Sequence, residues 1–313
     1  MTPSFPTLET LRAGGKRAMA QALALIETAA GTEALAALLD AACADPKAQV
    51  AGLTGPPGVG KSTLTNALVR GWRAKGETVG VIAVDPSSRR TGGALLGDRA
   101  RISTDPEDRG VFVRSMAARD RLGGLSDQTV AAVALMRAVY DRVLVESVGI
   151  GQSEADISFA ADTVVLCIQP GSGDSLQFMK AGVMELPDVV VVTKADMGDH
   201  ARRARADVEG ALTLFDRDAG DWTPPVVLVS ATHGSGLDDL ADALAGHAAW
   251  LDAQGRRAAR RVAQERAWVN EAIRTRFGTE GLALAARLPV SAQGPFGREI
   301  ALGRDLTRRL YGV

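Results

Sequence analysis

The segment Gly55-Pro56-Pro57-Gly58-Val59-Gly60-Lys61-Ser62, followed by Thr63, constrains this chain more than any other stretch. It meets every fixed position of the pattern G-x-x-x-x-G-K-[ST], whose glycines let backbone N–H groups curl around phosphate oxygens. Lys61 then offers an ammonium to the outer phosphates, and the Ser62 hydroxyl is a candidate ligand for Mg²⁺. A glycine-rich turn could match by accident, so the flanks matter. Residues 48–54, with Val50, Ala51 and Leu53, read as a short buried strand, and residues 61–74 read as a helix. Strand, loop and helix in that order set a helix N-terminus under the phosphates. The expected ligand is a nucleoside triphosphate.

The remaining apolar pattern says what surrounds that loop. Val/Ile/Leu runs occur at 78–84, 111–113, 143–146, 163–169, 189–193 and 226–230. Most are continuous rather than alternating, which suits strands covered on both faces. Helical spacing lies between them at 129–140, 174–184, 199–214 and 237–249. The alternation predicts an α/β fold with a doubly wound, mainly parallel sheet. Ligands of such sheets sit beyond the carboxyl ends of the strands, so further site residues are sought there.

Helical extensions are expected on either side. Met19, Leu23, Ile26 and Ala30, then Leu35, Leu38 and Leu39 after a break at Gly31-Thr32, predict two helices ending at Asp45-Pro46 that pack on the main domain. Beyond Trp250, Arg256, Arg257, Arg260, Arg261 and Arg266 share a helical stretch with Trp268, Val269 and Ile273. Gly278 and Gly294-Pro295 then punctuate a short helix and a last one over 298–310. The regions read as a helical extension over 1–45, a nucleotide-binding domain over 46–250 and a second helical extension over 251–313. The arginines could form a nucleic-acid patch. Asp252, Glu265 and Glu271 dilute their charge, so the reading taken is a solvated helix face or a subunit interface.

Bulk properties narrow the class. A net charge of −1, with 23% charged and 46% apolar residues, is that of a globular chain with no pull toward nucleic acid or an anionic membrane. No apolar run approaches the roughly 20 residues of a membrane span, and the N-terminus has no signal-peptide core. Cys43 and Cys167 read as separate buried thiols, as in a reducing compartment. A soluble cytoplasmic protein is expected.

Three more strand ends carry chemistry. Glu146, in Glu146-Ser147-Val148-Gly149, closes an apolar run where a Walker-B carboxylate would hold Mg²⁺, and Gly149 can turn its N–H to a γ-phosphate and act as a switch pivot. Thr193-Lys194-Ala195-Asp196 follows the next-but-one strand and reads as a guanine-selecting [N/T]-K-x-D. Its aspartate accepts from the ring N–H and exocyclic amine, a pair adenine lacks, while the lysine stem lies along the base. Ser230-Ala231, after the last strand, is placed to give a backbone N–H to guanine O6. Thr193 stands where asparagine is commoner; its hydroxyl can bond a neighbouring loop but cannot copy both amide contacts.

The hydrolytic part is less complete. A water-orienting glutamine commonly follows the switch glycine, and here that position is Ile150. Gln152 and Glu154 are the nearby polar candidates, so slow intrinsic turnover completed by a partner is expected. Asp85, at the end of the second strand, and Asp98, in a glycine-rich stretch, could join the Mg²⁺ shell or simply cap a turn.

Taken together, the residues 55–63 loop, Val84-Asp85-Pro86-Ser87-Ser88, the string Glu-Ser-Val-Gly-Ile-Gly-Gln-Ser-Glu over 146–154, and Gly173-Asp174-Ser175-Leu176-Gln177 with Lys180-Ala181-Gly182 resemble the MeaB/ArgK family of P-loop GTPases. The likeness runs over residues 50–235. It implies a metallochaperone-type GTPase using GTP/GDP and Mg²⁺, dimeric through its C-terminal helices, that serves an adenosylcobalamin-dependent methylmalonyl-CoA mutase. Such proteins gate loading of the cofactor, protect the mutase from inactivation, and are stimulated by it. Gln177 to Gly182 would be a further switch, with Lys180 facing the partner, and cobalamin would sit on the mutase. Phe178-Met179 are bulkier than the family pattern. Two rivals remain. A metallocentre-maturation GTPase needs soft or imidazole ligands, against which stand three scattered histidines (His200, His233, His247) and two lone cysteines. A transport-associated ATP-using kinase is opposed by Asp196 and Ser230-Ala231.

Overall fold

The computed structural model describes residues 5–85, 102, 105, 107–117, 125–147, 156–171, 183–215, 218, 220–289 and 293–312. Among them the apolar runs form β1 (Gln49–Thr54), β2 (Val79–Asp85), β3 (Val111–Ala117), β4 (Arg142–Glu146), β5 (Thr163–Ile168), β6 (Val189–Val192) and β7 (Val226–Leu228). They build one sheet in the order β3-β2-β4-β1-β5-β6-β7, and every pairing is parallel. The helices are α1 (Leu8–Thr28), α2 (Glu33–Ala44), α3 (Lys61–Ala74), α4 (Asp127–Val139), α5 (Asp199–Leu212), α6 (Leu237–Asp252), α7 (Arg256–Ala285) and α8 (Pro295–Tyr311). This is the α/β, doubly wound parallel fold that the strand and helix alternation predicts.

The pleat sends alternate residues to opposite cores. Val50, Ile82, Val143 and Val164 face α1, α2, α4, α7 and α8, whereas Ala51, Leu53, Val81, Leu144 and Val165 face α3 and α6. β3 runs on to Ala117, beyond its apolar start; among the described residues it is an edge strand that pairs only with β2, with Phe112 to Ser115 half-buried. Of the helix expected over 174–184, only the last positions are described, and Val183–Glu185 forms a 3₁₀ turn.

The two helical extensions meet. α8 begins at Pro295 rather than Arg298, since proline suits the first helical position and Gly294 precedes it. Gly294 offers no capping side chain; Asp40, on α2, takes that role by accepting from Phe296 N at 2.9 Å and Gly297 N at 3.0 Å. Gly278, with φ 70°, breaks α7 where the sequence reading put a stop.

Arg257, Arg260 and Arg261 of α7 depart from the solvated helix face of the sequence reading. Arg261 donates to both oxygens of Asp162 at 2.7 Å and to Ala48 O at 2.9 Å, while Arg260 grips both oxygens of Asp188 at 2.9 and 2.8 Å. Arg257 holds Asp252 at 2.6 Å. Asp162 and Asp188 directly precede β5 and β6, and each also accepts a strand amide, from Val50 and Val164 respectively. The side chains therefore tie α7 to the amino-terminal edge of the sheet instead of forming a solvated face; Arg266 does stay exposed. Burial pushes the Asp162 carboxyl up, but the Arg261 bonds and charge and the Val50 amide outweigh it and hold it below the usual carboxylate range. Truncation by Arg261→Ala should cost about 3–5 kcal/mol in urea unfolding, because it strands a buried carboxylate. A loss under 1 kcal/mol would show that the pair is peripheral.

Beside this network His247, fully buried on α6, shares a hydrogen bond with Thr163 Oγ1 at 2.8 Å through Nδ1 and stacks near Trp222 and Trp250. Burial pulls its pKa down to about 4; Asp188 works the other way, and Arg260 and Arg257 assist the burial. The folded protein therefore keeps it neutral while the unfolded chain takes a proton near pH 6.5. Stability should be fully present above about pH 6.5 and decline as the pH falls toward 4. Urea midpoints at pH 7 and pH 5 should differ more in the native protein than in His247→Gln.

Candidate nucleotide site

β1 delivers the chain to the centre of the sheet's carboxyl edge, and the loop beyond it is held by glycine geometry and one apolar plug. Gly55 has φ 136°, and a Cβ there would lie 2.3 Å from Cys167 O, so no other residue fits against β5. Gly60, at φ 104°, starts α3, and Val59 is buried in the core below the loop. Lys61 is also buried; its Nζ donates to Gly55 O at 2.7 Å and Pro56 O at 3.2 Å, folded along the loop that it is expected to serve. Thr63 lies exposed on the first turn of α3. Burial pushes the Cys167 thiol up to about 12, so it packs beneath the loop as a neutral group.

Parallel pairing sets Leu53 opposite Glu146, bringing the end of β4 beside the loop. Glu146 is 5% exposed and accepts from Ser62 Oγ at 2.7 Å on one oxygen and from Thr65 Oγ1 at 3.2 Å on the other. Ser147 continues the strand with a bond to Leu53 O and reaches Thr54 Oγ1 at 3.0 Å. Lys61, Ser62 and Glu146 are thus brought together. The sequence reading missed Thr65, although its place three residues after Ser62 on one helix face was a usable signal.

The third and fourth stations sit beyond β6 and β7. The Thr193 hydroxyl lies 2.7 Å from Val59 O and 3.1 Å from Ile168 O, linking the base loop to the phosphate loop through one small side chain. Lys194 adopts a left-handed backbone, φ 53°, and its Nζ reaches Gln169 Oε1 at 2.6 Å and Gly58 O at 3.3 Å. Asp196 is exposed at the rim; the Ser230 hydroxyl donates to it at 2.5 Å, and that bond, with its own backbone amide, holds its carboxyl below the ordinary range. Ser230 N donates to Ser235 O, so of the pair it is Ala231 whose N–H is the candidate for O6. Gly236 closes this loop, where a Cβ would lie 1.9 Å from Leu228 O; the sequence reading gives neither it nor His233, 3.0 Å from Ser230 Oγ, a place beside the base loop.

Asp85 is the last residue of β2, in register with Ala117. Asp98, Gly149, Gln152, Glu154, Gln177 and Lys180 lie outside the described residues. The Ser62 hydroxyl and the Glu146 carboxylate form a hard oxygen pair, the donor type Mg²⁺ takes. No helix among the described residues is long and apolar enough to cross a membrane. If the rim carboxylate selects guanine, Asp196→Ala should remove two charge-assisted bonds, weaken GTP binding by about 10²-fold or more, and leave ATP binding unchanged. Equal losses for both nucleotides in calorimetry would remove Asp196 from base selection.

Known proteins resemble this chain. Residues 19–283 match the family model described as methylmalonyl Co-A mutase-associated GTPase MeaB. The chain is 35% identical to the GTPase ArgK of Escherichia coli, over 85% of this chain and 82% of that one. It is 38% identical to the mitochondrial methylmalonic aciduria type A homolog of Mus musculus, over 70% of this chain and 53% of that protein. Among solved structures it resembles one titled LAO/AO transport system kinase, with TM-score 0.68, 27% identity and coverage of 97% and 96% of the two chains.

Proposed function

This chain belongs to the MeaB family of P-loop GTPases, and from that premise we propose that it is a GTP-driven chaperone of an adenosylcobalamin-dependent acyl-CoA mutase, methylmalonyl-CoA mutase being the first candidate. Hydrolysis of GTP is the family's activity; the partner is the inference. The observation that carries the nucleotide half is the convergence of four strand ends on one edge, with Lys61, Ser62 and Glu146 joined at the phosphate end and Asp196 braced by Ser230 at the base end. The partner half is supported by the family's description and by the name of the mouse relative. A dimer through residues 251–313 belongs to the same proposal.

In this reading the loop amides and Lys61 hold the β- and γ-phosphates, so that Lys61 exchanges its carbonyl partners for phosphate oxygens. Ser62 and Glu146 would hold Mg²⁺, which when bound neutralises charge on the β- and γ-oxygens. Water attacks the γ-phosphorus, the bond to the β-bridging oxygen breaks, and GDP and phosphate leave. Because Ile150 stands where a water-orienting glutamine is common, the attacking water is positioned by Gln152 or Glu154 once a partner is bound. Steady-state assays should show slow GTP turnover alone, a rise of at least tenfold with purified methylmalonyl-CoA mutase, and no comparable turnover of ATP. GTP turnover indifferent to the mutase would keep the GTPase and reject this partner.

A further inference from the structure

Glu146 reaches the loop from the end of β4 on a side chain with one more rotatable bond than aspartate, so something must fix where its carboxylate points. Two hydroxyls do so, both from α3. Ser62 Oγ lies 2.7 Å from Oε1, and Thr65 Oγ1 lies 3.2 Å from Oε2. Their three-residue spacing stacks them on the helix face that packs toward β4. They are not equivalent. Ser62 stands on the first turn, where its oxygen is also the candidate Mg²⁺ ligand, so its two tasks are coupled. Thr65 lies a turn deeper and has no exposed surface, too far inside to touch a phosphate-bound ion. Its neighbours Leu64 and Leu68 belong to the hydrophobic core, so a hydroxyl here has a desolvation cost that the Glu146 oxygen offsets.

Resting on the nucleotide site described above, we propose that Thr65 is a positioning residue: it pins the second oxygen of Glu146 so that the first stays aimed at the metal position beside Ser62. It touches neither nucleotide nor ion and acts only through the carboxylate. Removing the hydroxyl takes this donor from one oxygen of a buried carboxylate and weakens the hold on its orientation. Loss of an outer partner of a metal-holding carboxylate typically weakens metal affinity 10–100-fold.

The test uses the full-length chain and reads binding rather than turnover. GDP binding is measured by calorimetry in EDTA and across a Mg²⁺ titration, with melting of the nucleotide-free protein as a control for folding. Thr65→Val should leave the melting temperature and the EDTA affinity near native values and raise the Mg²⁺ midpoint about tenfold; Thr65→Ser, which keeps the hydroxyl, should restore it. A double-mutant cycle separates positioning from packing. Glu146→Asp withdraws the carboxylate from Thr65, so adding Thr65→Val to it should shift the midpoint no further. An unchanged Mg²⁺ midpoint in Thr65→Val, a failure of Thr65→Ser to rescue, or full additivity in the cycle overturns the proposal. If the native protein binds no guanine nucleotide, the site reading itself falls and this proposal with it, a result distinct from native GDP binding with an indifferent Thr65.

Discussion

Everything in this molecule hangs on β1 lying between β4 and β5 with all strands running the same way. Parallel pairing brings the carboxyl ends together, so residues far apart in the chain become neighbours without any loop having to carry them there. Leu53 faces Glu146 across one seam and Thr54 faces Leu166 across the other. The seam to β5 is close enough that Gly55 rides directly over Cys167 O, which is why the first glycine of the loop is a matter of backbone approach as much as of turn geometry. The same alignment continues outward: Ile168 pairs with Val192 and Val192 with Leu228, setting Thr193 and the β7 loop in line with the phosphate loop.

The two edges of the sheet handle polar groups in opposite ways. At the amino-terminal edge the carboxylates of Asp162 and Asp188 are closed off, each with a bidentate arginine from α7 and a strand amide. Such buried pairs contribute little net stability over an apolar packing, yet breaking one is costly, so they specify where α7 sits more than they strengthen the fold. At the carboxyl-terminal edge the polar groups have exchangeable partners. Lys61 rests on carbonyl oxygens of its own loop, and Asp196 keeps an exposed position at the rim. The arginine pairs at the first edge anchor the helical layer, whereas Lys61 and Asp196 at the second have partners that a ligand could replace.

How much of this the sequence discloses follows from the range of the interaction. The candidate phosphate loop, carboxylate and base loop are each a few consecutive residues at the end of an apolar run, so local pattern suffices to nominate them. Thr193 illustrates the limit: that its hydroxyl could reach a neighbouring loop is readable, but that the acceptors are Val59 O and Ile168 O is not. The inward bonds of Arg257, Arg260 and Arg261 escape the sequence for the same reason. Their spacing shows a basic helix face, while the partner of Arg261 lies 99 residues earlier and announces itself only as an aspartate before a valine-rich strand. Asp40 capping α8 from α2 crosses 256 residues and has no local signature in either segment.

The geometry also says what ligand binding has to change. The glycine conformations, the buried Val59 and the Thr193 brace are all in place, so the loop loses little conformational freedom when phosphate arrives. In the proposed reading the main exchange would be at Lys61, whose bonds of 2.7 and 3.2 Å to loop carbonyls would give way to charge-assisted bonds with phosphate oxygens. Those carbonyls then need other donors or solvent, so the gain from the lysine is a difference between two bonded states and not a full ion-pair energy. Glu146 would be spared this exchange, since a hydroxyl that ligates a metal through oxygen can keep its proton on the carboxylate. On the proposed function, then, the acidic half of the site is already arranged and Lys61 is the part that would move.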